Sequence, residues 1–333
     1  MTISNKLPVL ELISAQMRTV LAKSAELAPG AYDTAGGFES MRANYILERH
    51  YWNEGGPVME ETRDCVIVTQ AGNVPLRFHV PTSSNSQPKS IIVYLHGGGW
   101  VLGNLDTHDR IMRLLADFTG SVVVGVDYAL SPEAKFPLAV HQGAEVVRHL
   151  HHHGAQYNLN PDRIGLVGDS AGATLCLAAY LYLRDEVDGA GYIRGLGLYY
   201  GLYGLRDSTS IRLLGGEWDG LTEADLAYYL DCYLSEPEDA RSPYVDCLNA
   251  DLSRVPPTFI AAAEFDPLRD DSAALAAMLG RHDQIHRHVT YPGVLHAFLH
   301  NSRHLPQAMD AIRDGAAYLR DALDQPLPLN QTY

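Results

Sequence analysis

Residues 163–172 have the sequence Arg-Ile-Gly-Leu-Val-Gly-Asp-Ser-Ala-Gly, which is the most informative segment of the chain for its fold class. It combines the end of an apolar strand with the pattern Gly-x-Ser-x-Gly, and an apolar helix is predicted directly after it over residues 171–183. A sharp strand-to-helix turn of this kind lifts the serine oxygen out of the backbone, while the glycines let neighbouring chains approach closely. The context predicts Ser170 as a nucleophile. The alternative is a glycine turn with a purely structural role.

On both sides of this turn, short apolar runs alternate with amphipathic segments. We predict strands over residues 65–69, 74–80, 91–95, 121–126, 164–167, 195–199, 258–262 and 288–291. We predict helices over residues 106–118, 139–150, 171–183, 222–234, 271–279 and 302–323, after an apolar stripe from Leu10 to Leu21 and a helix over residues 39–51. Apolar strands separated by helices are typical of a parallel sheet that is covered on both faces. We therefore predict an α/β fold with a mostly parallel central sheet of about eight strands and helices on both faces.

A second motif, His96-Gly97-Gly98-Gly99-Trp100, follows the predicted strand 91–95. Three consecutive glycines are costly in chain entropy, and a loop that points its N–H groups at a substrate oxygen would account for them. Together with the N–H of Ala171, those of Gly97 and Gly98 would form an oxyanion hole. A phosphate-binding loop is the competing interpretation. The motif lacks the Gly-Lys-Ser/Thr ending of such loops, and no acidic residue stands where a dinucleotide fold needs it.

A serine nucleophile needs a base and an acid that orients the base. The chain has 15 histidines, so position has to select among them. His296 follows the last predicted strand, and Asp266 follows the strand predicted over residues 258–262. Parallel sheets present their functional groups at the carboxyl ends of strands, and the order Ser, Asp, His along the chain is that of α/β-hydrolases.

Three further segments complete the pattern: Asp-Tyr-Ala-Leu-Ser-Pro-Glu at 127–133, Asp-Pro-Leu at 266–268 and Pro-Gly-Val-Leu-His-Ala-Phe at 292–298. With the two glycine motifs, they resemble the hormone-sensitive-lipase-like (GDXG) group of α/β-hydrolase carboxylesterases, and within it the bacterial acetyl esterases. The segments at 201–207 and 213–216 strengthen the narrower resemblance. It extends from about residue 60 to the last helix.

The resemblance implies a role for each site residue. Ser170 would be the nucleophile, His296 the general base and then acid, and Asp266 the orienting carboxylate. Gly97 and Gly98 would bind the oxyanion, with His96 shaping their loop. The implied reaction is hydrolysis of short-chain acyl esters, from acetyl to medium length, without metal or organic cofactor. Amidase or peptidase action by the same triad is an alternative, as is a regulatory protein-binding module on the hydrolase scaffold.

The resemblance also implies the domain organisation and the partners. Residues 1–60 would form a helical cap segment and residues 61–333 the catalytic domain, with residues 200–254 as a second cap insertion. Trp100 and Tyr203 are candidates for the substrate pocket. Relatives of this kind are commonly monomers or dimers, so a homodimer is one assembly that the resemblance allows. It also allows a protein partner, the transcriptional activator of a maltose regulon.

Composition excludes several other functions. The 333 residues include 25 Lys and Arg against 40 Asp and Glu, a net charge of −15. This acidity argues against direct nucleic-acid binding and against anionic membranes. The longest apolar run, from Leu175 to Leu183, is about half the length that a membrane-spanning helix needs. Pro8 and Glu11 interrupt the apolar start, so we expect no signal peptide. Four scattered cysteines form no metal or disulfide pattern, which favours a cytoplasmic location.

The remaining histidines give weaker signals. The cluster at 149–153 could chelate a metal, but at a helix end these imidazoles are favourably placed beside the helix dipole and solvated. His296 and His300 stand four apart as in zinc proteases, yet the glutamate of that motif is missing. We therefore predict no metal site, and we interpret His300 and His304 as packing or surface residues.

Overall fold

The structure, a computed structural model, describes residues 6–29, 36–82, 87–187 and 189–324. Within them the chain forms one sheet of eight strands. In chain order these are β1 Glu61–Thr69, β2 Gly72–Val80, β3 Lys89–Leu95, β4 Val122–Val126, β5 Leu159–Asp169, β6 Ile193–Tyr199, β7 Thr258–Phe265 and β8 His286–Leu295. Their spatial order is β1-β2-β4-β3-β5-β6-β7-β8. Strand β2 is antiparallel to both of its neighbours and the other pairs are parallel, which confirms the predicted sheet.

Ten α-helices surround the sheet in the described ranges. They are α1 Val9–Leu12, α2 Ala15–Leu27, α3 Gly37–Asn53, α4 Asp109–Thr119, α5 Leu138–His153, α6 Ala171–Glu186, α7 Thr209–Leu214, α8 Glu223–Tyr233, α9 Arg269–Arg281 and α10 Pro306–Asp324. None of them combines the length and the apolar character that crossing a lipid bilayer requires.

Strand β3 shows why the sheet is covered on both faces. Its side chains alternate between two cores: Ile91, Val93 and Leu95 pack in the cluster that contains α5 and α6, whereas Ile92 and Tyr94 pack in the cluster that contains α4 and α10. Successive residues of a strand point to opposite faces. A strand that is apolar at every position therefore needs helices on both sides, as the sequence predicted.

Two helix predictions were wrong in their boundaries. The apolar stripe that begins at Leu10 is not one helix, because the Ser14 side chain accepts the N–H of Met17 and starts α2 afresh. In the short helix α1, Leu10 is 44% exposed and Val9 is buried. The last helix begins at Pro306 rather than at residue 302, since proline lacks an N–H and suits the first turn of a helix.

The sheet topology gathers the candidate residues at one edge. Ser170 follows β5, His96 follows β3, Asp266 follows β7 and His296 follows β8. These four strands run in the same direction in one sheet. Their carboxyl ends meet there, so side chains that are 200 residues apart in the sequence come within contact distance.

Candidate active site

Ser170 occupies a strained turn between β5 and α6. Its φ of 52° and ψ of −125° are unusual for a residue with a side chain, and such strain collects at functional sites. The turn depends on its glycines: a Cβ atom at Gly168 would lie 2.7 Å from the Leu95 carbonyl oxygen, and one at Gly172 would lie 2.6 Å from that of His96. The serine N–H donates to the Tyr199 carbonyl at 2.8 Å, which fixes the turn against β6.

The structure brings the three predicted catalytic side chains into one hydrogen-bonded line. His296 Nε2 lies 2.9 Å from Ser170 Oγ, and His296 Nδ1 lies 2.8 Å from Asp266 Oδ2. The other carboxylate oxygen of Asp266 accepts the N–H of Leu268 at 2.7 Å. With Nδ1–H donating to the carboxylate, Nε2 is the ring atom that is free to accept a hydrogen bond from the Ser170 hydroxyl.

Asp266 also sets the protonation of the histidine. Burial by itself lowers the pKa of His296, but the charge and hydrogen bond of Asp266 outweigh burial and raise the pKa above its ordinary value. Asp266 is completely buried, so its charge acts on the ring with little solvent screening. The arrangement favours the imidazolium that forms when the histidine takes a proton.

The glycine loop after β3 supplies N–H groups beside Ser170, although not all of the predicted ones. The Gly97 N–H donates to Asp169 Oδ1 at 2.9 Å and is therefore engaged. In the described part of the chain no acceptor binds the N–H groups of Gly98, Gly99 or Ala171, and these residues line the cavity above the serine. The hydrogen bond of Gly97 thus fixes the start of the loop, and Gly98 and Gly99, the next two residues, border the cavity.

A buried cluster that the sequence did not predict holds this loop in place. We call it the Asp169 cage, made of Tyr94, Gly97, His108, Asp169 and His300. The Tyr94 hydroxyl donates to Asp169 Oδ1 at 2.7 Å, and the Nε2 atoms of His108 and His300 lie 3.4 and 3.8 Å from its carboxylate oxygens. Burial alone raises the pKa of Asp169, yet the imidazoles and the tyrosine hydroxyl hold it well below its ordinary value.

Three members of the cage form a group that could hold a metal ion in the described part of the chain. The donor atoms of His108, Asp169 and His300 lie within 4.8 Å of one another. Because the Asp169 carboxylate already accepts hydrogen bonds from Tyr94 and Gly97, we interpret the cluster as support for the loop. The absence of a metal cofactor stays a prediction.

His96 braces the loop from the other side. Its ring stacks on that of Tyr128 with centroids 4.3 Å apart, and the Tyr128 hydroxyl donates to the His96 carbonyl at 2.7 Å. Burial lowers the pKa of His96 to about 3, so its ring is neutral. His96 therefore packs beneath the loop and does not line the cavity. Its role in shaping the loop stays a prediction.

A cavity of about 580 Å³ lies above Ser170. Helices α2, α3 and α8 and the loop before α8 border it, so described parts of both predicted cap segments contribute walls. Trp100 lines it and stacks on Tyr233 with centroids 4.3 Å apart. Tyr203 does not line it: this residue is buried, and its N–H donates to Asp271 at 2.8 Å.

The fold and the site together identify the class of protein. The model of the alpha/beta hydrolase fold family matches residues 92–300, and the chain belongs to this family.

Among solved structures, the chain is similar to several esterases. A hyperthermophilic esterase from the archaeon Pyrobaculum calidifontis is 30% identical, with a TM-score of 0.86 over 93% of this chain and 98% of that one. A thermophilic and thermostable carboxylesterase cloned from a metagenomic library is 29% identical, with a TM-score of 0.83 over 88% and 100%. An ester hydrolase from the metagenome of Lake Arreo is 26% identical, with a TM-score of 0.86 over 93% and 99%. These neighbours agree with the family resemblance found in the sequence.

Proposed function

We propose that the chain is a serine carboxylesterase that hydrolyses short-chain acyl esters through an acyl-enzyme intermediate. The observation that carries the proposal is the line of hydrogen bonds from Asp266 through His296 to Ser170, next to N–H groups that have no acceptor. The esterases among the structural neighbours support it.

The first half of the reaction uses this line directly. Ser170 Oγ attacks the ester carbonyl carbon as His296 Nε2 takes its proton, and Asp266 stabilises the resulting imidazolium. The carbonyl oxygen becomes an oxyanion that the N–H groups of Gly98 and Ala171 bind, each worth about 3 kcal/mol of transition-state stabilisation. The imidazolium then protonates the alcohol oxygen, the ester bond breaks, and an acyl-serine remains.

The second half repeats these steps with water. Neutral His296 removes a proton from a water molecule, and the hydroxide attacks the acyl-serine carbonyl while the same N–H groups bind the oxyanion. The tetrahedral intermediate collapses as the imidazolium returns the proton to Ser170 Oγ. The products are the carboxylic acid and the regenerated serine.

The preference for short acyl chains is tested with p-nitrophenyl esters of two to twelve acyl carbons and with p-nitroacetanilide as the amide. We expect the highest kcat/KM for acetate or butyrate and a lower one for dodecanoate, because a cavity of about 580 Å³ must hold both halves of the ester. Dodecanoate turning over as fast as butyrate would contradict the acyl preference. A higher kcat/KM for the anilide than for the acetate ester would favour an amidase instead.

The pH profile follows from the raised pKa of His296. Only the neutral ring accepts the serine proton, so kcat/KM rises with pH and levels off above the pKa, with a midpoint above the ordinary histidine value of 6.5. The charges of three carboxylates raise the pKa of this histidine, namely Asp266, Asp219 and Asp169. Burial raises the pKa of Asp219 itself to about 7. Asp219 carries its charge mainly above that pH, so Asp219→Asn should lower the midpoint by less than the loss of a fully ionised carboxylate would. A wild-type midpoint at or below 6.5 would argue against this assignment.

The remaining expectations from the sequence stay predictions. They are the homodimer, the activator partner and the division into cap segments and catalytic domain. Parts of these predicted segments lie outside the described residues, namely 1–5, 30–35, 83–86, 188 and 325–333. Four unpaired cysteines, Cys65, Cys176, Cys232 and Cys247, support the proposed cytoplasmic location.

A further inference from the structure

Strands β7 and β8 do not pair evenly along their whole length. The pairing is regular up to Ala263, which lies opposite Tyr291. The next pair is Phe265 opposite Leu295, so that one residue of β7 faces residues 292–294 of β8, which form a bulge. A bulge bends its strand and re-aims the side chains that follow it.

The bulge decides which residue of β8 meets the proposed orienting carboxylate. Directly after the last pair come Asp266 on one strand and His296 on the other, and Asp266 Oδ2 lies 2.8 Å from His296 Nδ1. If the regular register of the earlier pairs continued, Asp266 would instead lie opposite Val294, whose side chain has no hydrogen-bonding group. The line of hydrogen bonds from Asp266 to Ser170 therefore depends on the bulge.

Both backbone groups of Gly293, at the middle of the bulge, are engaged in hydrogen bonds. Its N–H donates to Glu264 Oε2 at 2.7 Å, and its carbonyl accepts the N–H of Ser14 at 2.9 Å. Ser14 is the residue that starts helix α2. A Cβ atom at Gly293, whose φ is 71°, would lie 2.9 Å from Ser14 Cβ, so this close approach needs glycine. The bulge is therefore held on one side by the facing strand and on the other by the N-terminal helices.

Glu264 provides what the strand ladder lacks at this point. A bulge leaves backbone groups without partners in the ladder, and an N–H group away from water needs an acceptor. A carboxylate oxygen accepts such an N–H more strongly than a neutral oxygen does. Glu264 does not line the cavity above Ser170, so its action on the reaction would pass through the backbone of Gly293 to His296.

We propose that Glu264 is a positioning residue for His296, and that the N–H of Ser14 supports the same bulge from the N-terminal helices. The inference rests on the proposed esterase function and adds a residue on which its geometry depends. A displacement of about 1 Å at a catalytic group can lower a rate about a hundredfold. A support that never touches the substrate can therefore control the rate of proton transfer between Ser170 and His296.

The first test removes the acceptor and then restores it. We expect Glu264→Ala to lower kcat and kcat/KM on p-nitrophenyl acetate together, by about ten- to a hundredfold, because substrate binding does not involve this side chain. Glu264→Gln keeps an oxygen at the same position along the side chain, and its kcat should recover most of the loss. Glu145→Ala is the matched control, since Glu145 pairs with Arg148 on α5 away from the cavity and should keep the wild-type kcat.

A second readout separates positioning from a purely structural role. Loosening the contact between Asp266 and His296 lowers the pKa of the histidine, because that contact raises it. Proton NMR titration measures this pKa without a substrate, and the signal that disappears in His296→Gln identifies the ring. We expect the pKa to be lower in Glu264→Ala than in wild type and to return in Glu264→Gln. A lower kcat with an unchanged pKa would mean that Glu264 only stabilises the fold, and would overturn the inference.

The support from the N-terminal helices is tested at Ser14. Its φ of −61° and the extended backbone of Ile13 before it suit a proline, which lacks the N–H that the Gly293 carbonyl accepts. Both Ser14→Pro and Ser14→Ala lose the hydroxyl that caps α2, so the difference between them reports on the N–H. We expect kcat to be about two- to tenfold lower in the proline variant than in the alanine variant, with a lower His296 pKa; equal values would contradict this support.

The outcomes separate the inference from the function on which it rests. If wild type hydrolyses p-nitrophenyl acetate and Glu264→Ala keeps the wild-type kcat and His296 pKa, the inference is wrong and the esterase proposal stands. If wild type hydrolyses no ester, the esterase proposal itself fails, while the NMR titration still shows whether Glu264 positions His296. Should Glu264→Ala not fold, Glu264→Leu replaces it, because leucine keeps most of the bulk and lacks the acceptor; wild-type kcat and pKa in that variant contradict the inference equally.

Discussion

Replacing Ser170 with alanine lowers kcat/KM on p-nitrophenyl acetate by about 10⁴-fold or more, the scale found when a serine hydrolase loses its nucleophile. The substitution removes the attacking oxygen alone. The hydrogen bond between His296 and Asp266 does not involve the serine side chain, and the N–H groups of the loop remain. Steady-state kinetics checks the loss, and thermal unfolding checks that the variant is folded.

Ser235→Ala is the matched control for this experiment. Ser235 Oγ donates to the Phe136 carbonyl at 3.0 Å, and the residue does not line the cavity. We expect this variant to keep wild-type kcat/KM. Ser170→Ala with activity within tenfold of wild type would mean that another group attacks the ester, and the proposed mechanism would then be wrong.

Asp266→Asn is expected to lower kcat by about 10⁴-fold, because an amide can hold His296 in the tautomer that offers Nε2–H to the serine and cannot accept its proton. The loss of the carboxylate charge also lowers the pKa of His296, so the midpoint of the pH profile moves down. A merely structural role for Asp266 would reduce the amount of active enzyme without moving this midpoint. The measurement is therefore the full pH profile of kcat in both proteins.

A surface aspartate provides the comparison for this charge change. Asp251 accepts the N–H of Ser253 at 2.8 Å in an exposed loop, and Asp251→Asn should leave both kcat and the midpoint where they are. If Asp266→Asn behaves like Asp251→Asn, the carboxylate does not orient the histidine.

The sheet and the catalytic line could be predicted from sequence because their signals are local. Each apolar run predicted its strand, and the carboxyl end of each strand predicted the position of a candidate site residue. Ser170, Asp266 and His296 all stand at such ends, so topology alone brings them to one edge of the sheet. Strand boundaries shifted by several residues, but every predicted strand is present in the sheet.

The surroundings of the nucleophile could not be predicted in the same way. Tyr94, His108 and His300 reach Asp169 from three distant segments, and no spacing marks these histidines among 15. Glu48 and Arg49 are charged residues on an amphipathic helix, a pattern that usually predicts exposure to solvent. Only the tertiary packing of α3 against α2 and the cavity shows that both are buried.

The Asp169 cage fixes the loop beside Ser170 when the protein folds. Its carboxylate holds the Gly97 N–H before any substrate arrives, so the loop dipoles are oriented during folding and need little reorganisation in each turnover. The position of this loop is thus a property of the intact native state. On heating, the cage and the sheet edge beneath it should unfold together. We therefore expect esterase activity to be lost over the same temperature range in which the native fold unfolds.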